Sequence, residues 1–132
     1  MNEWKKYFVT PEEFHNNIIK LANMIPKNKY ENVYAIPRGG LIIGVYLSHY
    51  LDIPLKLIYH SFYDLKLQSN LIVDDIADTG RTLLEFKDFD IATVYYKPRS
   101  IIKPTYYSEE CPNDKWIVFP YEKPEEEPNR EV

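Results

Sequence analysis

Three carboxylates and a threonine–glycine turn stand together in Leu71-Ile72-Val73-Asp74-Asp75-Ile76-Ala77-Asp78-Thr79-Gly80-Arg81-Thr82-Leu83. An apolar run leads into the Asp74-Asp75 pair. Asp78 follows, and Thr79-Gly80-Arg81-Thr82 opens what reads as a helix. Each part suits a phosphorylated sugar. Main-chain N–H groups at a helix N-terminus point outward and attract phosphate, aided by the helix dipole. Gly80 lets the backbone come close, and the hydroxyls of Thr79 and Thr82 add donors. Asp74 and Asp75 suit ribose hydroxyls or a Mg²⁺ ion. The plainer alternative is acids that cap a helix beside a glycine turn. Against it, three like charges placed together repel unless cations or donors meet them.

A second glycine site, Pro37-Arg38-Gly39-Gly40, lies between an apolar run and a helical one. Arg38 there can make charge-assisted bonds to phosphate oxygens, each worth ~1.5–3 kcal/mol. Taken alone, the segment also reads as a simple turn into a helix. The chain is sparing with glycine: it has four in 132 residues, and only Gly44 lies outside these two sites.

The elements that must hold these groups follow from patterning. Thr10, Pro11 and Glu13 form a helix-start signal with a capping box, and Val9 and Phe14 are spaced for a hydrophobic staple. Phe14, Ile18, Leu21 and Ile25 continue at helical spacing until Pro26. A second helix is expected over Leu41–Leu51 and a third from Arg81 or Thr82 to about Lys87. Apolar runs predict strands at 33–36, 55–59, 71–75, 91–96 and 116–119. Residues 97–115 read as irregular. Strands alternating with helices predict a parallel sheet covered on both faces, with ligands beyond the carboxyl ends of the strands. Both glycine sites fall at such ends.

Composition sets the outer limits. Hydrophobic residues make up 45% of the chain and aromatics 15%, enough for a core. One cysteine, Cys111, rules out an internal disulfide and favours a reducing, cytoplasmic setting. No apolar run approaches the roughly 18–20 residues of a membrane span. A formal net charge of -4 argues against a general nucleic-acid binder. Much of that charge lies in the acidic, proline-containing end at 123–132, which reads as a mobile tail after a single domain at 1–121.

The 71–83 segment resembles the phosphoribosyl pyrophosphate (PRPP) motif of the type I phosphoribosyltransferases. Strand, acid pair, third acid, Thr-Gly-x-Thr and helix occur in order without gaps. Pro37-Arg38-Gly39-Gly40 is similar to the pyrophosphate loop of that family. Within it, the chain up to about Glu122 looks like the bacterial xanthine-guanine phosphoribosyltransferases. Arg38-Gly39-Gly40-Leu41, Ser61 with Tyr63-Asp64, Lys97-Pro98, Trp116-Ile117 and Pro120-Tyr121-Glu122 occur in the corresponding order.

The resemblance implies an α/β fold, a central parallel sheet flanked by helices with a small C-terminal hood at about 97–122. It implies transfer of phosphoribosyl from PRPP to a 6-oxopurine in purine salvage, with Mg²⁺, in a homodimer or homotetramer. Asp74, Asp75, Ala77, Asp78, Thr79, Gly80, Arg81 and Thr82 would hold the 5-phosphate and ribose, with Asp75 the metal contact. Arg38 and Gly39 would hold pyrophosphate, and Asp78 would be the general acid/base at the purine imidazole. Lys97 would bind the 6-oxo group, Trp116 would stack on the base, and the Ile117 carbonyl and Glu122 would face its 2-position. The family has Asp where this chain has Glu122. The family also closes a flexible loop over the ribose, and here only residues 61–69 are available for it. That departure motivates an alternative, a PRPP- or nucleotide-binding regulator with little turnover. Adenine or a pyrimidine as acceptor is a further alternative, against which the donor head of Lys97 argues.

Overall fold

Thr10 caps the first helix as its sequence predicts, its hydroxyl accepting the Glu13 N–H at 3.1 Å. The reciprocal half of the box is replaced: the Glu13 carboxylate instead accepts the Tyr7 hydroxyl at 2.7 Å. In this computed structural model, residues 5–58 and 69–123 are described. The elements run β1 (Lys5–Phe8), α1 (Pro11–Met24), β2 (Asn32–Ala35), α2 (Gly40–Leu51), β3 (Leu55–Leu57) and β4 (Asn70–Ala77). A 3-10 turn (Leu83–Phe86), β5 (Asp90–Tyr96), β6 (Tyr106–Glu110) and β7 (Lys115–Val118) follow. The expectations for the 61–69 loop (Ser69 aside) and for the acidic tail beyond Lys123 fall outside the described residues.

The main sheet has the order β3-β2-β4-β5-β6, with every neighbouring pair parallel. α1 and α2 pack on one face, over Val33, Ala35, Leu71, Val73, Ala92 and Val94. The 3-10 turn covers part of the other, where Leu83 and Phe86 join Ile36, Ile72 and Ile91. Among the described residues, no helix is long and apolar enough to cross a membrane.

Three expectations are corrected. Residues 106–110, read as irregular, form β6, the edge strand of the main sheet. Their run Tyr-Tyr-Ser-Glu-Glu has only Ser108 buried, so an edge strand carries no apolar run to announce it. The strand at 116–119 does not join that sheet. It is β7 and pairs with β1 in a separate parallel ladder, Lys6 beside Trp116 and Tyr7 beside Ile117. The hood therefore takes one strand from the N-terminus. The helix expected at 81–87 is only a four-residue 3-10 turn. Parallel register sets Leu71 beside Asp90 and Ala77 beside Tyr96, so residues 78–89 must travel back along β4. That distance is roughly 20 Å at ~3.3 Å per residue. Either helix geometry can cover it; in a 3-10 turn residues three apart share a side, and Leu83 and Phe86 are both buried there.

Candidate functional site

β4 runs two residues past the acid pair, to Ala77, and carries Asp74 and Asp75 to its carboxyl end as half-buried side chains. The Asp75 N–H donates to Asp74 Oδ1 at 2.9 Å. Loop 78–82 then turns tightly, the Thr79 hydroxyl accepting the Arg81 N–H at 3.3 Å. Gly80 has φ +86°, a left-handed conformation that disfavours side chains. A Cβ there would also lie 2.8 Å from Ile102 N and 2.9 Å from Ile101 N. The loop is docked by Ile101 N–H donating to Thr79 O and Lys97 N–H to Ala77 O, both 2.9 Å. A four-residue 3-10 turn has no useful macrodipole. What loop 79–82 offers an anion is therefore loop N–H groups and hydroxyls rather than a helix end.

The third acid has the most charged surroundings. Asp78 is buried, and its Oδ1 accepts Arg99 Nε at 2.9 Å and a second bond from Arg99 Nη2. Lys97 Nζ lies 3.3 Å from the same oxygen, and only 1% of the lysine side chain is exposed. Burial pushes the Lys97 ammonium below its usual pKa, while the Asp78 carboxylate pulls it back up. Cys111 lies in this charge field as well, and burial pushes its thiol up to about 11. Arg99 is a residue that the sequence reading passed over. Its signal was its place two residues after Lys97, in Lys97-Pro98-Arg99-Ser100 directly beyond β5.

The Gly39 loop meets the end of β4 at Asp75. Loop 36–39 joins β2 to α2, with a cis peptide between Pro37 and Arg38. Arg38 is exposed at its tip, and Gly39 faces the Asp75 carboxylate so closely that a Cβ would lie 2.2 Å from Oδ2. The Tyr121 hydroxyl donates to that same Oδ2. Tyr121 stands in the Pro120-Tyr121-Glu122 segment that carries the family resemblance, but its partner Asp75 is 46 residues away and no local pattern pairs the two.

Of the residues expected at the purine, Trp116, Ile117 and Glu122 each have partners within the hood or the core. Trp116 is half-buried on β7, with Lys6 Nζ 4.5 Å from its ring centroid. The Ile117 side chain is buried in the main core, which leaves its main chain as the part able to meet a ligand. Glu122 folds back, its Oε1 accepting the Phe119 N–H at 3.0 Å, while its own N–H donates to Phe119 O at 2.9 Å. Its carboxylate is thereby engaged in closing the 119–122 turn.

Asp75 has a further consequence. Burial pushes its carboxyl above the usual carboxylate range, and the Tyr121 hydrogen bond offsets this only in part. An acid whose pKa is raised in the fold adds stability below about pH 4, and that contribution is lost as pH rises through the shifted value. At neutral pH the charge is a cost that asparagine does not carry. Asp75→Asn is expected to melt above wild type at pH 7, by roughly 4 °C per kcal/mol recovered. The gap should close as pH falls toward 4. Scanning calorimetry at both pH values checks this, and equal midpoints at pH 7 would count against it.

Among the described residues, no group of three or more His, Cys, Asp or Glu side chains is placed to hold a metal alone. Two adjacent carboxylates fit Mg²⁺ nonetheless, since that ion commonly keeps its waters and binds one or two carboxylates together with substrate phosphates.

No family model matches the chain. It is 31% identical to the xanthine-guanine phosphoribosyltransferase of Nitratidesulfovibrio vulgaris, over 92% of this chain and 88% of that one. The crystal structure of a purine phosphoribosyltransferase from Pyrococcus horikoshii superposes with a TM-score of 0.77 at 35% identity, over 89% of this chain and 95% of that one. The xanthine-guanine-hypoxanthine phosphoribosyltransferase of Helicobacter pylori shares the fold, with a TM-score of 0.72 at 20% identity over 89% and 92% of the two chains.

Proposed function

The chain belongs to the purine phosphoribosyltransferase family, and from that premise we propose that it moves the phosphoribosyl group from PRPP to a 6-oxopurine, releasing pyrophosphate. The observation that carries this is Asp78 Oδ1 held between Lys97 and Arg99, directly after the acid pair of β4. A carboxylate anchored by two cations beside a sugar-phosphate loop is oriented for one proton at a purine ring nitrogen. All of those bonds fall on Oδ1, so we assign the proton to Oδ2. Lys97, a donor with no acceptor, supplies the contact to the 6-oxo oxygen. Arg38 and the N–H groups beside Gly39 take the pyrophosphate, and loop 79–82 takes the 5-phosphate. Asp74 and Asp75 hold the ribose, and Asp75 would hold a Mg²⁺ ion together with the diphosphate. When bound, that ion would neutralise the departing pyrophosphate. Trp116 covers the base. The relatives carry the names of enzymes, and the regulator reading is set aside.

The test is pyrophosphate release from PRPP and Mg²⁺ with guanine, xanthine, hypoxanthine and adenine. At least one 6-oxopurine should turn over. Adenine should fall about 10²-fold or more behind, because its 6-amino group faces the buried Lys97 donor head with no acceptor. Full adenine activity would overturn the substrate assignment.

Self-association is part of the same proposal. α2 is apolar around most of its circumference, and Ile42, Val45 and Tyr50 on it are exposed. Several large apolar side chains exposed on one helix suit an interface between copies of the chain. Light scattering should give twice the chain mass or more, and a monomer at micromolar concentration would refute it. The single buried free thiol at Cys111 supports a cytoplasmic setting.

A further inference from the structure

We propose that Tyr121 is a latch on the sugar-phosphate site, holding Asp75 until PRPP displaces it. The inference rests on the assignment of Asp75 to PRPP made above. Tyr121 is 40% exposed, yet its hydroxyl turns inward to donate to Asp75 Oδ2 at 2.5 Å. That oxygen is also the one facing Gly39, so the contact sits where the pyrophosphate loop, the end of β4 and the hood converge. The phenol ring is held in place. It stacks on Phe119 with centroids 5.4 Å apart and planes 8° off parallel, and it leans on Phe14 at 5.9 Å. A phenol hydroxyl satisfies a desolvated carboxylate while no ligand is bound. A ribose hydroxyl or a cation arriving at Oδ2 competes for the same lone pairs.

The latch also reaches the purine side. Tyr121 lies within the 119–122 turn, closed at both ends by the reciprocal Phe119–Glu122 bonds. Tyr121 thereby ties the Asp75 carboxylate to the segment that follows β7. Binding at the sugar-phosphate site then carries a cost of breaking this bond, and removing the hydroxyl removes the cost.

The experiment is calorimetric titration of PRPP with Mg²⁺ into wild type and Tyr121→Phe, with thermal midpoints recorded for both. Phenylalanine keeps the ring stack and removes only the donor. The latch requires the variant to bind PRPP roughly threefold to tenfold tighter, the size of one net hydrogen bond, with a midpoint equal to or below wild type. A merely structural role would lower the midpoint and weaken binding. Equal or weaker binding by the variant overturns the latch while leaving the functional proposal standing. Absence of PRPP binding by both chains overturns the functional proposal, and the latch with it.

Discussion

Asp78→Asn is expected to lower kcat for 6-oxopurines by about 10²–10⁴-fold, the range that a positioned acid/base contributes. The amide keeps the shape of the carboxylate but loses the charge and the proton acceptor. The variant also removes the counter-charge from Lys97, whose side chain is 1% exposed, and from Arg99 at 29%. Breaking a buried pair by removing one partner costs ~3–5 kcal/mol, because the remaining charge stays buried without that partner. Loss of activity must therefore be separated from loss of fold. Calorimetric binding of PRPP does so, since loop 79–82 and the β4 acids remain. The expected pattern is PRPP affinity within a fewfold of wild type, a lowered melting point and collapsed turnover. Unchanged purine turnover would remove Asp78 from the chemistry.

The sequence carried the acid–threonine–glycine segment in full because its parts are adjacent. A strand, a turn and the residues they present all lie between Leu71 and Leu83, and no distant partner is needed to recognise them. The same locality made α1 readable, through Thr10, Pro11 and the spacing of Phe14, Ile18 and Leu21. Where the outcome depends on what lies across the fold, local pattern falls short. β1 is exposed at all four positions and is a strand only because Lys5–Phe8 pairs with Lys115–Val118. The Thr82–Lys87 stretch is compatible with an α-helix, but it forms a 3-10 turn that buries Leu83 and Phe86 together against the sheet. Arg99 and Tyr121 gain their meaning from Asp78 and Asp75, each more than twenty residues away in the chain.

Glycine shows the same divide. Its scarcity and its clustering at two strand ends single out two loops, on the argument that main chain must approach phosphate. The structure adds a reason within the protein at each. Gly80 is pressed on the main chain of Ile101 and Ile102 in a left-handed conformation, and Gly39 is pressed on Asp75. These glycines seat the acid and the loop correctly whether or not a phosphate is present.

Gly39→Ala isolates that second reason. The backbone at Gly39 is helical, φ -59° and ψ -32°, so alanine fits the conformation without strain. It should even stabilise the start of α2 by a few tenths of a kcal/mol or more through reduced chain entropy. Its methyl group, however, would stand 2.2 Å from Asp75 Oδ2 and 2.5 Å from Cγ. Separations that short do not persist, so the carboxylate must move, and the move disturbs the Tyr121 hydrogen bond to that same Oδ2. Displacing a substrate-positioning group by about 1 Å can cost on the order of 10²-fold in rate. The expected result is a folded variant with a melting point at or near wild type. Its kcat/KM for PRPP should be lowered about 10²-fold, and its affinity for the free purine should be unchanged. Steady-state kinetics with PRPP varied at saturating purine, beside a thermal melt, reads both. A variant within threefold of wild type in kcat/KM for PRPP would mean that Asp75 need not be fixed for the reaction. A variant that fails to fold would mean that Gly39 serves packing rather than the site.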